Sequence, residues 1–554
     1  MNHPNSLSAF GRMFAGKLGV CTCALLICLP ARAETWTQTA AGAYNWGDIA
    51  NWGGASFPNA IGATANISGE FSGAQAINLN TGITLGALTL NDSGGSSDSG
   101  VTLATGTSGS LTLQVAGGSA SITNSSVAVT NTISAPVVFA SDTIINPGTS
   151  SSSSNFTTLS LSGGFSGAGN ITVTGTASGS GRSTVVLGGA NTGYTGNWTL
   201  SGTSGSSAQG GAGISISQDS NLGAVPVSPG TNITVSNSGA IRFSAAVTLN
   251  ANRNILLNSG STLVLLQDTG ATSDIAGVIS GTGGIRINSG ANTRVIRLSG
   301  ANTYTGATTI TTGKLQAGST GAFGVNSAFS LADTSAAVLD LNGFSNAIGS
   351  LSGGGASGGN VALGAATLTV GGLNTSTTYA GIISGTGGFI KTGTGTQTFT
   401  SVQTYTGSTT ISAGTLALTG SGSINNSSEL AIAVGSGTHG LFTTAGQLTF
   451  TNSLKLNLTG TLAGLVGSHD LINFGSAASG DFSSVSLTGI TTGSLSLSSA
   501  DTWTGTFGGY DFTFTETDGV LNVALAAIPE PSTYSALAGA FVLSLAVFRS
   551  RKRS

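Results

Sequence analysis

Cysteine, charge and histidine are scarce in this sequence of 554 residues. The three cysteines, Cys21, Cys23 and Cys28, all lie near the amino terminus, so the long remainder of the chain can form no disulfide. Charged residues make up 6% of the chain, which is unusually low. Hydrophobic residues nevertheless reach 39%, so the chain can bury a core and does not belong to the disordered class.

Glycine is abundant instead, at 88 positions, and it is accompanied by many Ser and Thr. Glycine weakens helices, and Ser and Thr compete with the helical backbone, whereas β-branched residues suit strands. Segments such as 111–115 and 367–370 alternate apolar and polar residues, which is typical of short strands with one buried face. Composition and pattern together predict an all-β chain.

The amino-terminal segment 1–33 has the pattern of a secretory signal peptide. Basic residues precede an apolar run at 18–29, which is too short to span a bilayer easily. Ala31 and Ala33 then form a small-x-small signal peptidase site before Glu34. We therefore predict export through the Sec translocon and maturation at Glu34.

The carboxyl-terminal residues predict a membrane segment. Pro529, Glu530 and Pro531 precede an uncharged stretch at 533–548. A basic tail follows, formed by Arg549, Arg551, Lys552 and Arg553. Positive charge after a short apolar span predicts a transmembrane helix with its end in the cytoplasm, and a buried core helix is the alternative.

Residues 529–554 resemble the PEP-CTERM sorting signal of Gram-negative bacteria that make exopolysaccharide. The resemblance implies that an exosortase-type peptidase recognises Pro529, Glu530 and Pro531. It also implies anchoring in the inner membrane before processing, followed by release to the cell surface or extracellular matrix.

Two Gly-rich phrases recur between these signals. The first lies at 277–284 and 381–388, with a weaker copy at 163–170, and the second lies at 299–306, 403–407 and 189–196. The cassette resembles the autotransporter-associated β-strand repeat. Strands this short gain partners and a continuous core only by stacking. We therefore predict an elongated parallel β-helix, with coils of somewhat over about 20 residues.

Stacking also accounts for the scarcity of charge. Equivalent positions in successive coils lie about 4.8 Å apart, where like charges repel by roughly 0.9 kcal/mol even in water. The predicted organisation is a signal peptide at 1–33, an aromatic cap at 34–60, solenoid repeats at 61–453, a β-cap or small β-domain at 454–528, and the sorting signal at 529–554. The aromatic cap contains Trp36, Trp46 and Trp52, for which a sugar-binding platform is the alternative interpretation.

This sequence contains few titratable residues that could catalyse a reaction. The mature chain contains two histidines, His439 and His469. Ser468, His469 and Asp470 are consecutive, so on a strand their side chains would alternate between faces and could not form a triad. We therefore interpret His469 as a structural or surface residue.

The best acidic pairs are Asp268 with Asp274 and Asp511 with Asp518. Glycoside hydrolysis requires two carboxyl groups about 5 to 9.5 Å apart, and turn residues interrupt both pairs, so we interpret these acids as solvated turn residues. Neither Cys nor paired His is available for a metal, and no cofactor is predicted.

Nucleic acid is not an expected partner. Residues 34–528 contain nine Lys and Arg against eighteen Asp and Glu, which gives a net charge of minus nine. The leading hypothesis is a non-enzymatic surface or extracellular-matrix protein, structural or adhesive, which contacts extracellular polysaccharide. The alternative is a polysaccharide lyase or glycosidase on the same scaffold.

Overall fold

The computed structural model describes residues 33–92, 100–126, 129–150, 156–177, 181–204, 212–420, 422–424, 429–444, 452–475 and 482–527. These residues form strands that are connected by short turns, and no α-helix occurs among them. Short 3-10 helices lie at Ile49–Asn51, Asp219–Leu222 and Leu462–Leu465. The described part of the chain is therefore all-β, as the composition predicts.

The strands wind into a parallel β-solenoid with three faces. Face 1 is one continuous sheet along the rod. Its strands are Gly42–Asn45, Gln75–Asn78, Val101–Ala104, Thr130–Ile133, Thr157–Leu161, Ser183–Leu187, Ala212–Ile216, Ser238–Phe243, Thr262–Gln267, Gly284–Asn288, the first half of Thr308–Ala317, Ala328–Leu331, Ser350–Gly353, Thr377–Tyr379, Thr396–Phe399, Gly414–Leu418, Gly440–Thr444 and Ile472–Phe474.

Faces 2 and 3 are each built from two successive sheets. Face 2 contains Gly82–Leu85, Ser110–Leu113, Val137–Phe139 and Phe165–Gly167, then Thr248–Leu249, Thr272–Ile275, Val295–Leu298, the second half of Thr308–Ala317, Ala337–Asp340, Asn360–Gly364 and Ile383–Gly385. Face 3 contains Ala33–Thr35, Thr64–Gly69, Ala87–Asp92, Ala120–Asn124, Thr143–Asn146, Ile171–Val173, Trp198–Leu200, Gly230–Val235, Arg253–Leu257 and Ile279–Gly281, then Asn346–Ile348, Leu368–Val370, Phe389–Lys391, Thr409–Ile411, Leu430–Val434, Ser453–Leu458, Ser484–Gly489 and Gly493–Ser494. A small sheet at one corner contains Thr149–Ser150, Thr176–Ala177 and Thr203–Ser204.

The length of a coil varies along the rod. Phe389 pairs with Thr409 in the next coil, which is one of the short steps of the solenoid. Trp198 pairs with Ile233, a much longer step, and the chain between them also contains the 3-10 helix Asp219–Leu222. The coil length expected from the sequence therefore describes the regular part of the solenoid, and loops enlarge the other coils.

Alternating burial builds the core. In Thr157–Leu161 the side chains of Leu159 and Leu161 are fully buried, whereas the residues between them are partly exposed. The same alternation recurs in successive coils, so the inward residues form one continuous apolar cluster along the solenoid. Each buried Leu, Ile or Val contributes about 1.5–3 kcal/mol to folding, which lets such short strands persist without disulfides.

The carboxyl-terminal end of the rod is covered by an antiparallel sheet. Its strands are Gly467–Asp470, Ser496–Ser499, Thr502–Phe507, Tyr510–Thr515 and Val520–Leu525. The solenoid itself continues past residue 453, the boundary expected from the sequence, because Ser453–Leu458 pairs in parallel with both Leu430–Val434 and Ser484–Gly489. Solenoid and cap are thus interleaved in sequence.

The two predicted targeting segments lie largely outside the described residues. Ala33 and Glu34 are described; they lie in the first strand of face 3 and pair with Thr64 and Ala65 in the second. Ala31, the recognition motif at 529–531, the proposed helix at 533–548 and the basic tail are not described. Among the residues that the structure does describe, none lies in a helix with the length and apolar character needed to cross a membrane.

Candidate functional site

The two histidines among the described residues meet at the junction of solenoid and cap. The His439 and His469 rings contact edge to face, with 5.9 Å between their centroids. His469 is buried and its Nε2 lies 2.8 Å from the carbonyl oxygen of Leu465, whereas Ser468 and Asp470 are exposed. The predicted alternation is confirmed, and these three consecutive residues do not form a triad.

In the first candidate acidic pair, Asp268 and Asp274 each form an ion pair with a different arginine. Asp268 Oδ1 lies 3.4 Å from Arg242 Nη1, and Asp274 Oδ2 lies 3.0 Å from Arg297 Nη2. Ser299 also donates a hydrogen bond to Asp274 Oδ1 at 2.7 Å. Each carboxylate therefore pairs with its own arginine, and the two are not arranged as an acid and a base.

In the second acidic pair, each carboxylate accepts a hydrogen bond from a residue close to it in sequence. Asp518 Oδ1 accepts a hydrogen bond from the main-chain N–H of Val520 at 3.1 Å, which is the turn role predicted for it. Asp511 lies in a strand instead of a turn, where its carboxylate accepts a hydrogen bond from the hydroxyl of Thr506. Among the described residues, no three His, Cys, Asp or Glu come close enough together to hold a metal ion.

The amino-terminal tryptophans do not form an exposed platform. Trp36, Trp46 and Trp52 are all at most 3% exposed, and they contact one another edge to face. Trp36 Nε1 donates to Gln75 Oε1 at 2.9 Å, and Trp46 Nε1 donates to the carbonyl of Pro58 at 3.0 Å. These rings therefore close the end of the core, and the alternative of a sugar platform is wrong for them.

The second repeated phrase places a buried amide between three coils. Asn302 Oδ1 accepts a hydrogen bond from the main-chain N–H of Ile279 at 2.7 Å, and Asn302 Nδ2 donates to the carbonyl of Ala322 at 2.7 Å. Ile279 belongs to the coil that precedes Asn302, and Ala322 belongs to the coil that follows it. One side chain thus satisfies backbone groups in the coil before and the coil after its own.

Both other copies of the phrase make the first of these bonds. Gln403 Oε1 accepts from the N–H of Ile383 at 2.8 Å, and Asn191 Oδ1 accepts from the N–H of Phe165 at 2.8 Å. The amides of Gln403 and Asn191 are buried, like that of Asn302. The recurrence of Asn or Gln in the phrase therefore has a structural cause, which sequence analysis alone did not find.

The tyrosine of the phrase fills the core beside this amide. Tyr304 and Tyr405 are fully buried, and their hydroxyls hydrogen-bond Thr308 Oγ1 at 2.9 Å and Thr409 Oγ1 at 2.6 Å. Burial raises the pKa of both tyrosines above its ordinary value, and the hydrogen bonds with these threonines only partly oppose that rise. The tyrosine ring of the phrase thus fills the core, and its hydroxyl group is hydrogen-bonded.

Lys391 is one of the buried cations of the solenoid and lies inside one of its corners. Its Nζ donates to the carbonyls of Thr392 at 2.6 Å, Gly393 at 2.9 Å and Ala413 at 3.4 Å. Burial lowers the pKa of Lys391 to about 8. Lys391 therefore satisfies the backbone of a tight corner, and it is poorly placed to receive a ligand.

The two main copies of the cassette lie on different faces. Ile279 belongs to face 3, whereas its counterpart Ile383 belongs to face 2. Ile285 belongs to face 1, whereas its counterpart Phe389 belongs to face 3. The spacing of the copies is therefore not a whole number of coils, and the same phrase builds different corners of the rod.

Comparison with known proteins agrees with this geometry. The profile of the Passenger-associated-transport-repeat family matches residues 296–317 and 389–418, which contain Tyr304 and Tyr405. The adhesin BmaC autotransporter of Brucella suis biovar 1 (strain 1330) is 39% identical over 259 residues. The aligned part is 46% of this chain and 7% of that adhesin, so the chain spans a small fraction of its relative's length. The described part of the chain is thus an all-β parallel solenoid, two segments of which are similar to this family of transport repeats.

Proposed function

We propose that this chain is an exported, non-enzymatic surface protein that acts as an adhesive or structural rod in the extracellular matrix. The observation that carries the proposal is the likeness of its stacked repeats to part of an autotransporter adhesin. The candidate carboxylates also support it, because Asp268 and Asp274 are paired with arginines and are not poised for catalysis. A rigid solenoid holds binding surfaces away from the cell.

The route to the surface is the second part of the proposal. A signal peptide at 1–33 delivers the chain to the Sec translocon, and an exosortase-type peptidase recognises Pro529, Glu530 and Pro531. The helix at 533–548 and its basic tail hold the precursor in the inner membrane until that step. The support for this route is the sequence pattern at the two ends.

Attachment of cells tests the adhesive function. We expect that deleting the coding region in the native host lowers attachment to polysaccharide-coated surfaces, and that expressing the full chain restores it. Unchanged attachment and unchanged matrix cohesion in the deletion strain would overturn the proposal. Release of new reducing ends or unsaturated sugars by the purified protein would contradict the non-enzymatic assignment.

The masses of the terminal peptides test the sorting route. We expect the mature protein to begin at Glu34 and to lack the basic tail. The Glu530→Ala variant should keep its tail and remain in the inner membrane. The control Glu70→Ala, which removes an exposed carboxylate elsewhere, should mature normally. An intact tail on surface-exposed wild-type protein would contradict exosortase-type processing.

A further inference from the structure

A depression of about 160 Å³ opens on the outer side of face 1. Its lining includes Phe156, Arg182, Arg242 and Asp268, and the coil of Ala212–Ile216 lies between those of the two arginines. Residues 34–528 contain nine basic side chains in all, and two of them line this one depression. Two guanidinium groups and one carboxylate give the lining a local positive charge in a chain whose mature part is acidic.

The two arginines are close enough to repel each other. Burial lowers the pKa of Arg242 to about 10, repulsion from Arg182 adds to that shift, and Asp268 opposes it. Arg242 remains charged at neutral pH because this pKa lies well above neutrality. Its contact with Asp268 is long, at 3.4 Å, and Asp268 is itself 36% exposed. A second anion in the depression would relieve the repulsion between the guanidinium groups.

Arg182 is held in place, and one of its donors has no partner among the described residues. Its guanidinium lies over the ring of Phe156, 5.0 Å from the centroid, which is the geometry of a cation–π contact. Its main-chain N–H donates to Ser150 Oγ at 2.9 Å, and its carbonyl accepts from the N–H of Thr157 at 3.0 Å. Arg182 Nε is buried and has no hydrogen-bond partner in the described part of the chain. An unmet buried donor on a charged group is costly unless a ligand satisfies it.

Hydroxyl groups complete the lining. Thr158, Thr184 and Ser215 lie on the outward side of their strands in successive coils of face 1. Hydroxyls both donate and accept hydrogen bonds, so they suit a ligand that itself carries hydroxyls. The volume equals that of about five waters at ~30 Å³ each, which is room for a carboxylate and the neighbouring hydroxyls of a sugar ring.

We propose that this depression binds the carboxylate of an acidic sugar, with Arg182 and Arg242 as the anion-binding pair and the three hydroxyls as contacts to the ring. This inference rests on the proposed adhesive function and names the class of its ligand, a uronate-containing polysaccharide. Planar guanidinium groups match a carboxylate with paired hydrogen bonds, which an ammonium group cannot reproduce.

Calorimetry with the full secreted chain tests the site. The probes are an oligogalacturonate, a neutral oligosaccharide of equal length, and a sulfated oligosaccharide. We expect saturable binding of the oligogalacturonate, weakened roughly tenfold or more in both Arg182→Gln and Arg242→Gln. Arg182→Lys should also bind weakly although it keeps the charge. The control Arg294→Gln removes a half-buried guanidinium outside the depression and should bind like the wild type.

Each outcome decides the inference. Equal affinity in all variants, or tighter binding of the neutral or sulfated probe, would overturn the assignment of a carboxylate site. Thermal melts of the variants identify any loss of folding, and Arg182→Lys serves as the second variant if Arg242→Gln unfolds. If cells carrying Arg182→Gln attach normally while the deletion strain does not, the site is wrong and the adhesive function stands.

Discussion

Asn302 lies one coil beyond Ile279 in the stack, and its buried side-chain oxygen accepts the Ile279 main-chain hydrogen bond at 2.7 Å. The amide nitrogen of Asn302 donates to Ala322 in the following coil. Removing the amide therefore leaves two buried backbone groups unpaired. A buried group that loses its partner costs about 1–3 kcal/mol.

The first prediction concerns this amide. Asn302→Leu should lower the free energy of unfolding by roughly 2–5 kcal/mol, because both unpaired groups lie where water cannot replace the lost bonds. Hydrogen exchange should quicken most at the N–H of Ile279. Asn292→Ala, which removes an exposed corner amide, should change stability by less than about 1 kcal/mol. Equal effects of the two substitutions would refute this account of the phrase.

The second prediction concerns alkaline pH. The pKa of Tyr304 and Tyr405 is raised in the folded chain, so their stabilising contribution is complete below the ordinary pKa of about 10 and is lost as pH rises above it. Each buried tyrosine should steepen the fall in stability by up to about 1.4 kcal/mol per pH unit. The free energy of unfolding of the double variant Tyr304→Phe with Tyr405→Phe, measured from denaturation curves at each pH, should therefore fall less steeply above pH 10 than that of the wild type. The partly buried Tyr44, changed to Phe, serves as the control.

The third prediction concerns Lys391. Burial lowers its pKa from 10.5 to about 8, so the folded chain releases this proton before the unfolded chain does. The stability of the wild type relative to Lys391→Met should therefore rise as pH increases from about 8 to about 10.5. Taking the difference between the two proteins cancels the tyrosine effect. A difference that stays constant over this interval would show that the ammonium group is not desolvated.

The fourth prediction concerns the corner glycines. Gly281 has a φ of +103°, and a Cβ there would lie 2.0 Å from the carbonyl oxygen of Leu257 in the coil below. Gly281→Ala should therefore prevent tight stacking and lower the thermal midpoint strongly. Gly270→Ala places its methyl group where no atom lies within 4 Å and should leave the midpoint nearly unchanged. Circular dichroism melts of the two variants make the comparison.

The sequence predicted the solenoid because its signals are local. Alternation of apolar and polar residues, as in 157–161, identifies the buried side of a strand without knowledge of its partner. The aromatic residues near the amino terminus predicted a cap for the same reason, since Trp36 and Trp52 lie close in sequence and contact each other in space.

Relationships between coils could not be predicted in this way. Which residues stack depends on coil length, and loops make that length irregular along the rod. The contact of His439 with His469, and the depression that Arg182 and Arg242 both line, leave no signal in a single sequence because the members of each pair lie far apart along the chain. The boundary at 453 failed for a related reason, because larger apolar residues enter the pattern while parallel stacking continues.

The two main copies of the repeated cassette lie on different faces, so they face solvent in different directions. A strictly periodic solenoid would display each phrase as a straight stripe, so that a flat surface laid along it would touch every copy. Here the phrase that contains Ile279 points in one direction and the phrase that contains Ile383 points in another. The weaker copy has its Phe165 on the same face as Ile383, so a neighbour outside the rod would meet copies of the phrase on two sides of it and not along one straight stripe.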